Sequence, residues 1–192
     1  MNQEKITNAA ISIGFLQLTM TNVAKRLKVR HTALYRYVPS LDHLVLAAME
    51  RLNNDIAWPG QLTVTEWQEQ ILGLFTTLWT VVTSNPGLAR ELFSPRQSPP
   101  PLLKRVELLS AELIAIGLPG EDASAVISAL LHCTVGSVPA TPAPPDSDST
   151  STTAVTCSAT WIWRQQMDLI LDAAVSRVHD VDHRDMTPCR SV

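Results

Sequence analysis

The sequence predicts an all-α protein, and three observations carry that prediction. Apolar residues recur at helical spacing along most of the chain, no segment alternates with period two, and 45% of the residues are hydrophobic, enough to bury a sizeable core. No internal repeat of solenoid length interrupts the pattern.

Ile6, Ala9, Ala10 and Ile13 stand at i, i+3, i+4 and i+7 and mark a first helix that stops near Gly14. Val23, Ala24 and Leu27 lie on a short second helix, with Thr19 as its N-cap. Ala33, Leu34 and Tyr37 give a short third helix that ends before Pro39. Ser40 caps a fourth, carrying Leu44, Leu46, Ala47 and Leu52 and running out near Trp58-Pro59-Gly60. Asp42 falls in its first turn, where the helix dipole favours a carboxylate.

Trp67, Ile71, Leu74, Phe75, Leu78 and Val82 make a strong fifth stripe, broken at Asn85-Pro86-Gly87. A short segment follows over residues 88–93, and residues 94–101, with four prolines, read as loop. Leu102, Val106, Leu109, Leu113 and Ile116 form a long seventh stripe ended by Gly117, and Ala123, Ile127, Leu130 and Thr134 share one face of an eighth helix. Residues 138–153 are rich in Pro, Ser, Thr and Asp, cannot bury a core, and read as a flexible loop. Trp163, Met167, Ile170, Leu171, Ala174 and Val178 give a final helix, with residues 179–192 as a polar tail.

Charge is unevenly placed. The net charge is −3, yet residues 1–46 hold Lys5, Lys25, Arg26, Lys28, Arg30 and Arg36 against Glu4 and Asp42, a local balance of +4 that leaves −7 on the remainder. A basic head on an acidic body suits a head that meets phosphates. Cys133, Cys157 and Cys189 are far apart with no CxxC spacing, so neither a zinc site nor a disulfide framework is expected. No uninterrupted apolar run of about 18 residues is present, so no membrane span is expected. The first residues lack a signal-peptide pattern, which makes a cytoplasmic protein the expectation.

The informative stretch is residues 18–38, LTMTNVAKRLKVRHTALYRYV. Two helices this short are not stable alone and need the first helix beneath them. A tight turn at Lys28-Val29-Arg30 separates them, small Ala24 allows their close approach, and Val29 and Leu34 plug the angle. That is helix-turn-helix geometry, whose second helix enters the major groove of DNA.

These residues resemble the head of the TetR (tetracycline-repressor-like) family: Ala9, Ala10, Gly14, Leu18, Thr19, Val23, Ala24, Leu27, Val29, Leu34, Tyr35, Val38, Ser40, Asp42 and Leu44, over about residues 4–55. The stretches GLPGEDASAVISALLHCTVG and MDLILDAAVSRV look like the family's eighth and last helices, which form a dimer's four-helix bundle there. There are departures: Lys28 stands where a glycine is usual, Arg30 where Ser or Thr caps the recognition helix, Thr21 for a common arginine, and Leu41 for a common lysine. The resemblance implies a helix-turn-helix DNA-binding head over residues 1–45 and a helical ligand-binding and dimerisation body over 46–192. It implies a homodimeric regulator that binds a pseudo-palindromic double-stranded operator and is released by a small-molecule inducer. No cofactor is implied.

Carried over by position, His31, Thr32 and Ala33 face base edges, where His31 donates to an acceptor and Thr32 and Ala33 touch a thymine methyl. Tyr35, Arg36 and Tyr37 reach the backbone and groove wall, and Thr19 and Lys25 contact phosphates. Tyr35 has core packing as its alternative. The resemblance also implies an apolar pocket, for which Trp67, Phe75, Trp79, Phe93, Leu103, His132 and Trp161 are candidates. An aromatic stripe is more often plain core, and a histidine beside Cys133 on an apolar helix is more often buried and satisfied. Ligand binding would swing the fourth helix and move the heads off their one-turn spacing of about 34 Å.

His179 and His183 stand at i, i+4 near Asp180 and Asp182 and could share a metal if the last helix continued; a solvated acidic tail is the favoured reading. An enzyme on a helical bundle is a weak alternative, because no phosphate loop, G-x-S-x-G, HExxH or Cys/His dyad spacing is present. A helical dimer that has lost DNA binding is kept open by Thr21 and Leu41.

Overall fold

The computed structural model describes the backbone of residues 2–94, 100–138 and 149–184, and the side chains of residues 2–94, 102–138 and 159–178. Regular structure among them is helical throughout. In order come α1 (Gln3–Ile13), a 3₁₀ turn (Phe15–Gln17), α2 (Met20–Leu27), α3 (His31–Leu34), α4 (Leu41–Asn54), α5 (Trp67–Ser84), α6 (Leu88–Leu92), α7 (Pro100–Ala115), α8 (Gly120–Gly136) and α9 (Ser149–Arg184). They gather into two compact units. One takes Met1–Ala57 with Thr76–Lys104, the other Trp58–Phe75 and Arg105–Ser137 with α9.

In the first unit, α1 packs on both α2 and α4. Asn2 caps α1 by accepting from the Lys5 N–H, and the helix buries Ile6, Ala9 and Ala10. Ser40 caps α4 through the His43 N–H, as the sequence implied. The buried stripe of α4 is Leu44, Val45, Ala48 and Met49, not Leu46, Ala47 and Leu52, which are only half-buried. Every position from 44 to 49 is apolar, so periodicity could not choose the phase. The helix also stops earlier than Trp58, because the Asp55 and Ile56 N–H groups turn back to the Leu52 and Asn53 carbonyls. It runs unbroken through residue 45.

A second strap ties α1 into the unit. The Leu16 N–H donates to the Pro86 carbonyl at 3.3 Å, just ahead of α6. Gly87, at φ +89°, makes that approach possible: a Cβ there would stand 2.8 Å from the Leu16 nitrogen.

In the second unit, α8 lies against α9. The α8 stripe Ala123, Ile127, Leu130 and Thr134 is buried, as are Trp163, Met167, Leu171 and Ala174 of α9. The buried Trp163 indole N–H donates to the Thr134 hydroxyl at 3.1 Å, so the polar member of each stripe satisfies the other. The Leu62 N–H donates to a Glu112 carboxylate oxygen at 3.0 Å, and Arg105 stacks over Trp58 at 5.6 Å.

Three further boundaries differ from expectation. α7 starts at Pro100, inside the segment read as loop, because proline is tolerated in a helix's first turn, where its missing N–H has no partner to lose. α9 starts at Ser149, inside the expected loop, and continues to Arg184, past the expected tail. Once nucleated by the amphipathic stretch after residue 160, a helix extends by one hydrogen bond per added residue even through polar sequence. The side chains of His179, Asp180, Asp182 and His183 lie outside the described residues.

Candidate nucleic-acid interface

The head is built around the elbow between α2 and α3. Thr19 caps α2, its hydroxyl accepting from the Asn22 N–H at 3.1 Å, and the Asn22 amide donates to the Gln17 carbonyl at 2.8 Å. α2 buries Met20, Val23 and Ala24, and α3 buries Leu34 completely. Between them Lys28 sits in the left-handed region, φ 54° and ψ 42°, as the non-glycine turn residue that the sequence required. Its N–H reaches the Lys25 carbonyl at 3.2 Å, and the Val29 N–H reaches back to Ala24 at 3.0 Å. This pair of bonds closes the last turn of α2 and aims the chain into α3. Arg30 offers α3 no side-chain cap. Regular helix is confined to His31–Leu34, and the chain leaves it through turns in which the Tyr37 and Val38 N–H groups both bond to the Leu34 carbonyl.

What the elbow presents is a row of exposed polar and aromatic groups. His31, Thr32, Arg36, Thr19 and Lys25 are exposed, and Ala33 is half-buried. Tyr35 and Tyr37 are 47% and 41% exposed, which rules out core packing as the role of Tyr35. The Tyr35 hydroxyl lies 3.5 Å from His31 Nε2, and the two rings meet edge to face with centroids 5.0 Å apart. The structure thus brings together two of the residues singled out at the front of this segment and holds them clear of the core. Sequence reading passed over Arg26 and Lys28, which lie beside Lys25 on the rim of a shallow hollow next to the elbow. Their signal was the run Lys25-Arg26-Leu27-Lys28-Val29-Arg30 itself.

The seven residues suggested for a ligand pocket fall into two groups. Trp67, Phe75 and Trp79 are buried along α5. Phe93, Leu103 and Trp161 are 53%, 50% and 65% exposed, and His132 is exposed too, not buried as expected there, although its Nδ1 pairs with the Ser128 carbonyl at 2.7 Å. It faces outward because the buried stripe of α8 passes through Leu130 and Thr134 and leaves residue 132 on the other side. Burial pushes the neighbouring Cys133 thiol up, away from the thiolate form that acts as a nucleophile. One polar group in the interior went unnoticed in the sequence. Asn53 at the end of α4 is 4% exposed, and neither its amide nitrogen nor its oxygen has a partner among the described residues. Among the described side chains no cluster of three metal-ligating residues occurs, and no helix is long and apolar enough to cross a membrane.

No protein-family model matches the chain. Among characterised proteins it is similar to an HTH-type transcriptional regulator of Saccharopolyspora erythraea, 28% identical over 144 residues, covering 73% of this chain and 61% of that protein. The chain therefore spans under two thirds of the length of that relative. Among solved structures it is similar to the Streptomyces coelicolor TetR family protein ActR in complex with actinorhodin, at TM-score 0.71 and 18% identity over 92% of this chain and 96% of that one. It is also similar to BioQ with its double-stranded DNA operator, at TM-score 0.67 and 20% identity over 92% and 99% of the two chains; the protein is also solved from Mycobacterium smegmatis. With a basic helix-turn-helix at its start and a body whose described regular structure is helical, the chain has the fold of the TetR-family regulators.

Proposed function

We propose that this chain is a ligand-responsive DNA-binding transcriptional regulator, cytoplasmic and homodimeric, that represses from a pseudo-palindromic operator and is released by a small apolar or amphipathic molecule. The observation that carries the reading is the elbow: Ala24 and Leu34 buried at its inside, His31 and Thr32 exposed at its outside, within a head of net positive charge. The named activity of the Saccharopolyspora relative, the operator bound to BioQ and the actinorhodin bound to ActR point the same way.

In this reading residues 1–45 are the DNA-binding domain and residues 46–192 the sensing and dimerisation domain. His31, Thr32 and Ala33 read base edges, Tyr35, Arg36 and Tyr37 lie along the groove wall, and Thr19 and Lys25 hold phosphates. Thr19 does so while capping α2, because its cap bond uses a lone pair and leaves the hydroxyl proton for a phosphate oxygen. Ile162 and Leu169, exposed on α9 at i, i+7, supply apolar surface for a second copy. Trp67, Phe75, Trp79, Phe93, Leu103, His132 and Trp161 remain the candidates for contacting the inducer, the first three buried and the other four exposed. α4, packed on α1, carries the signal to the head.

A mobility-shift assay with the DNA upstream of the chain's own coding region tests this. Wild-type protein shifts that duplex in preference to a scrambled one, and His31→Ala with Thr32→Ala loses the preference. Equal shifting of both duplexes by the wild type would refute sequence-specific regulation; no shift at low salt would favour a helical dimer that has lost DNA binding.

A further inference from the structure

We propose that the hollow beside the elbow is a seat for a phosphate group. Its wall is formed by Ser12 and Ile13 at the end of α1, by Gln17, and by Asn22, Lys25, Arg26 and Lys28 along α2 and its cap. Three of these seven are cations, no carboxylate lines the hollow, and none of the three has an ion-pair partner among the described residues. The sequence explains why: not one Asp or Glu lies between Lys5 and Leu41. Lys25 and Lys28 stand three residues apart, a spacing at which like charges repel.

The dipole at the end of α2 accounts for a cation in the last turn, yet it does not call for three of them around one concavity. The polar wall is set by local bonds. The Ser12 hydroxyl is held by the Ala9 carbonyl at 2.8 Å, and the Asn22 amide by Gln17. Binding therefore falls to the charges: Arg26 offers a planar fork to two oxygens, and the two lysines act as point charges on either side. A phosphate group, with several acceptor oxygens around one centre, fits that set; a carboxylate satisfies only the fork. No residue of α3 lines the hollow, so the seat is separate from the segment that reads bases.

A phosphate can come from the backbone of bound DNA or from a free phosphorylated compound. The DNA source rests on the function proposed above; the free source does not. The test uses the full-length chain, wild type against the double variant Arg26→Gln, Lys28→Gly. The glycine removes a charge at a position whose backbone already suits glycine, so folding is preserved. Binding of operator and of scrambled duplex is followed over a salt series, and melting is followed against sodium pyrophosphate at matched ionic strength.

If the seat takes DNA backbone, the variant's log–log salt slope falls by about 1 to 2 for both duplexes, with their affinity ratio unchanged. If it takes a free compound, pyrophosphate raises the wild-type melting temperature saturably and leaves the variant alone. An unchanged slope together with no saturable pyrophosphate response would overturn the proposal. A wild type without operator preference would count against the regulatory function alone, since scrambled duplex and pyrophosphate still report on the seat.

Discussion

Replacing Lys28 by glycine should make the protein more stable, although it removes a side chain. Lys28 is the non-glycine residue with positive φ among the described residues, at φ 54° and ψ 42°. The same two-bond closure recurs after α7, where the Gly117 N–H bonds to Ile114 and the Leu118 N–H to Leu113, and there the residue at φ +107° is a glycine. Holding an L-residue left-handed costs about 1–2 kcal/mol, because Cβ crowds the following carbonyl. The extra freedom of glycine in the unfolded chain takes back about 0.5 kcal/mol of that. Losing the lysine charge removes a favourable dipole interaction and an unfavourable contact with Lys25, each worth a few tenths of a kcal/mol, so these nearly cancel. The net gain is about 1 kcal/mol, or roughly 2–4 °C in melting temperature for a chain of this size. Thermal melts by circular dichroism at one fixed protein concentration measure it. Lys28→Ala is the essential companion, since it discards the charge and keeps the Cβ. Equal stabilisation by Ala and Gly, or a lower melting temperature for Gly, would show that backbone strain at residue 28 is not what the glycine relieves.

The remaining predictions concern packing. Gly87→Ala should destabilise by about 2–4 kcal/mol in urea titrations, because the new methyl meets the Leu16 backbone nitrogen at 2.8 Å and the residue is held at φ +89°; a change under 1 kcal/mol would mean the strap between the 3₁₀ turn and Pro86 gives way cheaply. Thr134→Val leaves the Trp163 indole N–H buried without its acceptor and should cost about 1–3 kcal/mol, whereas Thr134→Ser should lose far less; equal losses would trace the effect to the methyl instead. Asn53→Leu should raise stability by about 1–2 kcal/mol by replacing an unpartnered buried amide with a similar apolar volume, and a fall in stability would show that the amide has a partner in the folded protein.

Much of the architecture could be read from the residues because its signals are local. Helical spacing marked every long helix, Thr19 and Ser40 each announced the helix they cap, and the resemblance, by placing Lys28 where a glycine is usual, implied the left-handed turn found there. The phase of α4 was illegible, since six consecutive apolar residues fit any face and only the approach of α1 chooses Val45 and Ala48. Helix ends in polar sequence were also hidden, because extension of α9 depends on cooperativity with its amphipathic middle and not on its own composition. At the candidate interface, the elbow between α2 and α3 was legible and the grouping of Arg26 and Lys28 with Ser12 was not, because it depends on where α1 ends in space. Asn53 is the reverse case: nothing in a one-dimensional pattern marks an amide whose significance is that its neighbours fail to answer it.

The link between Leu16 and Pro86 bears on how the first three helices can move. With α4 on one side and this bond on the other, α1 and the 3₁₀ turn after it are fastened at two points, and the bond alone joins residue 16 to residue 86. A lever that turned α4 alone would have to snap the Leu16–Pro86 bond or drag the α5–α6 corner along with it. The economical motion is for α1, α4 and that corner to travel together as a single rigid piece. Loosening the corner, even with α4 untouched, should then be enough to blur where the head points.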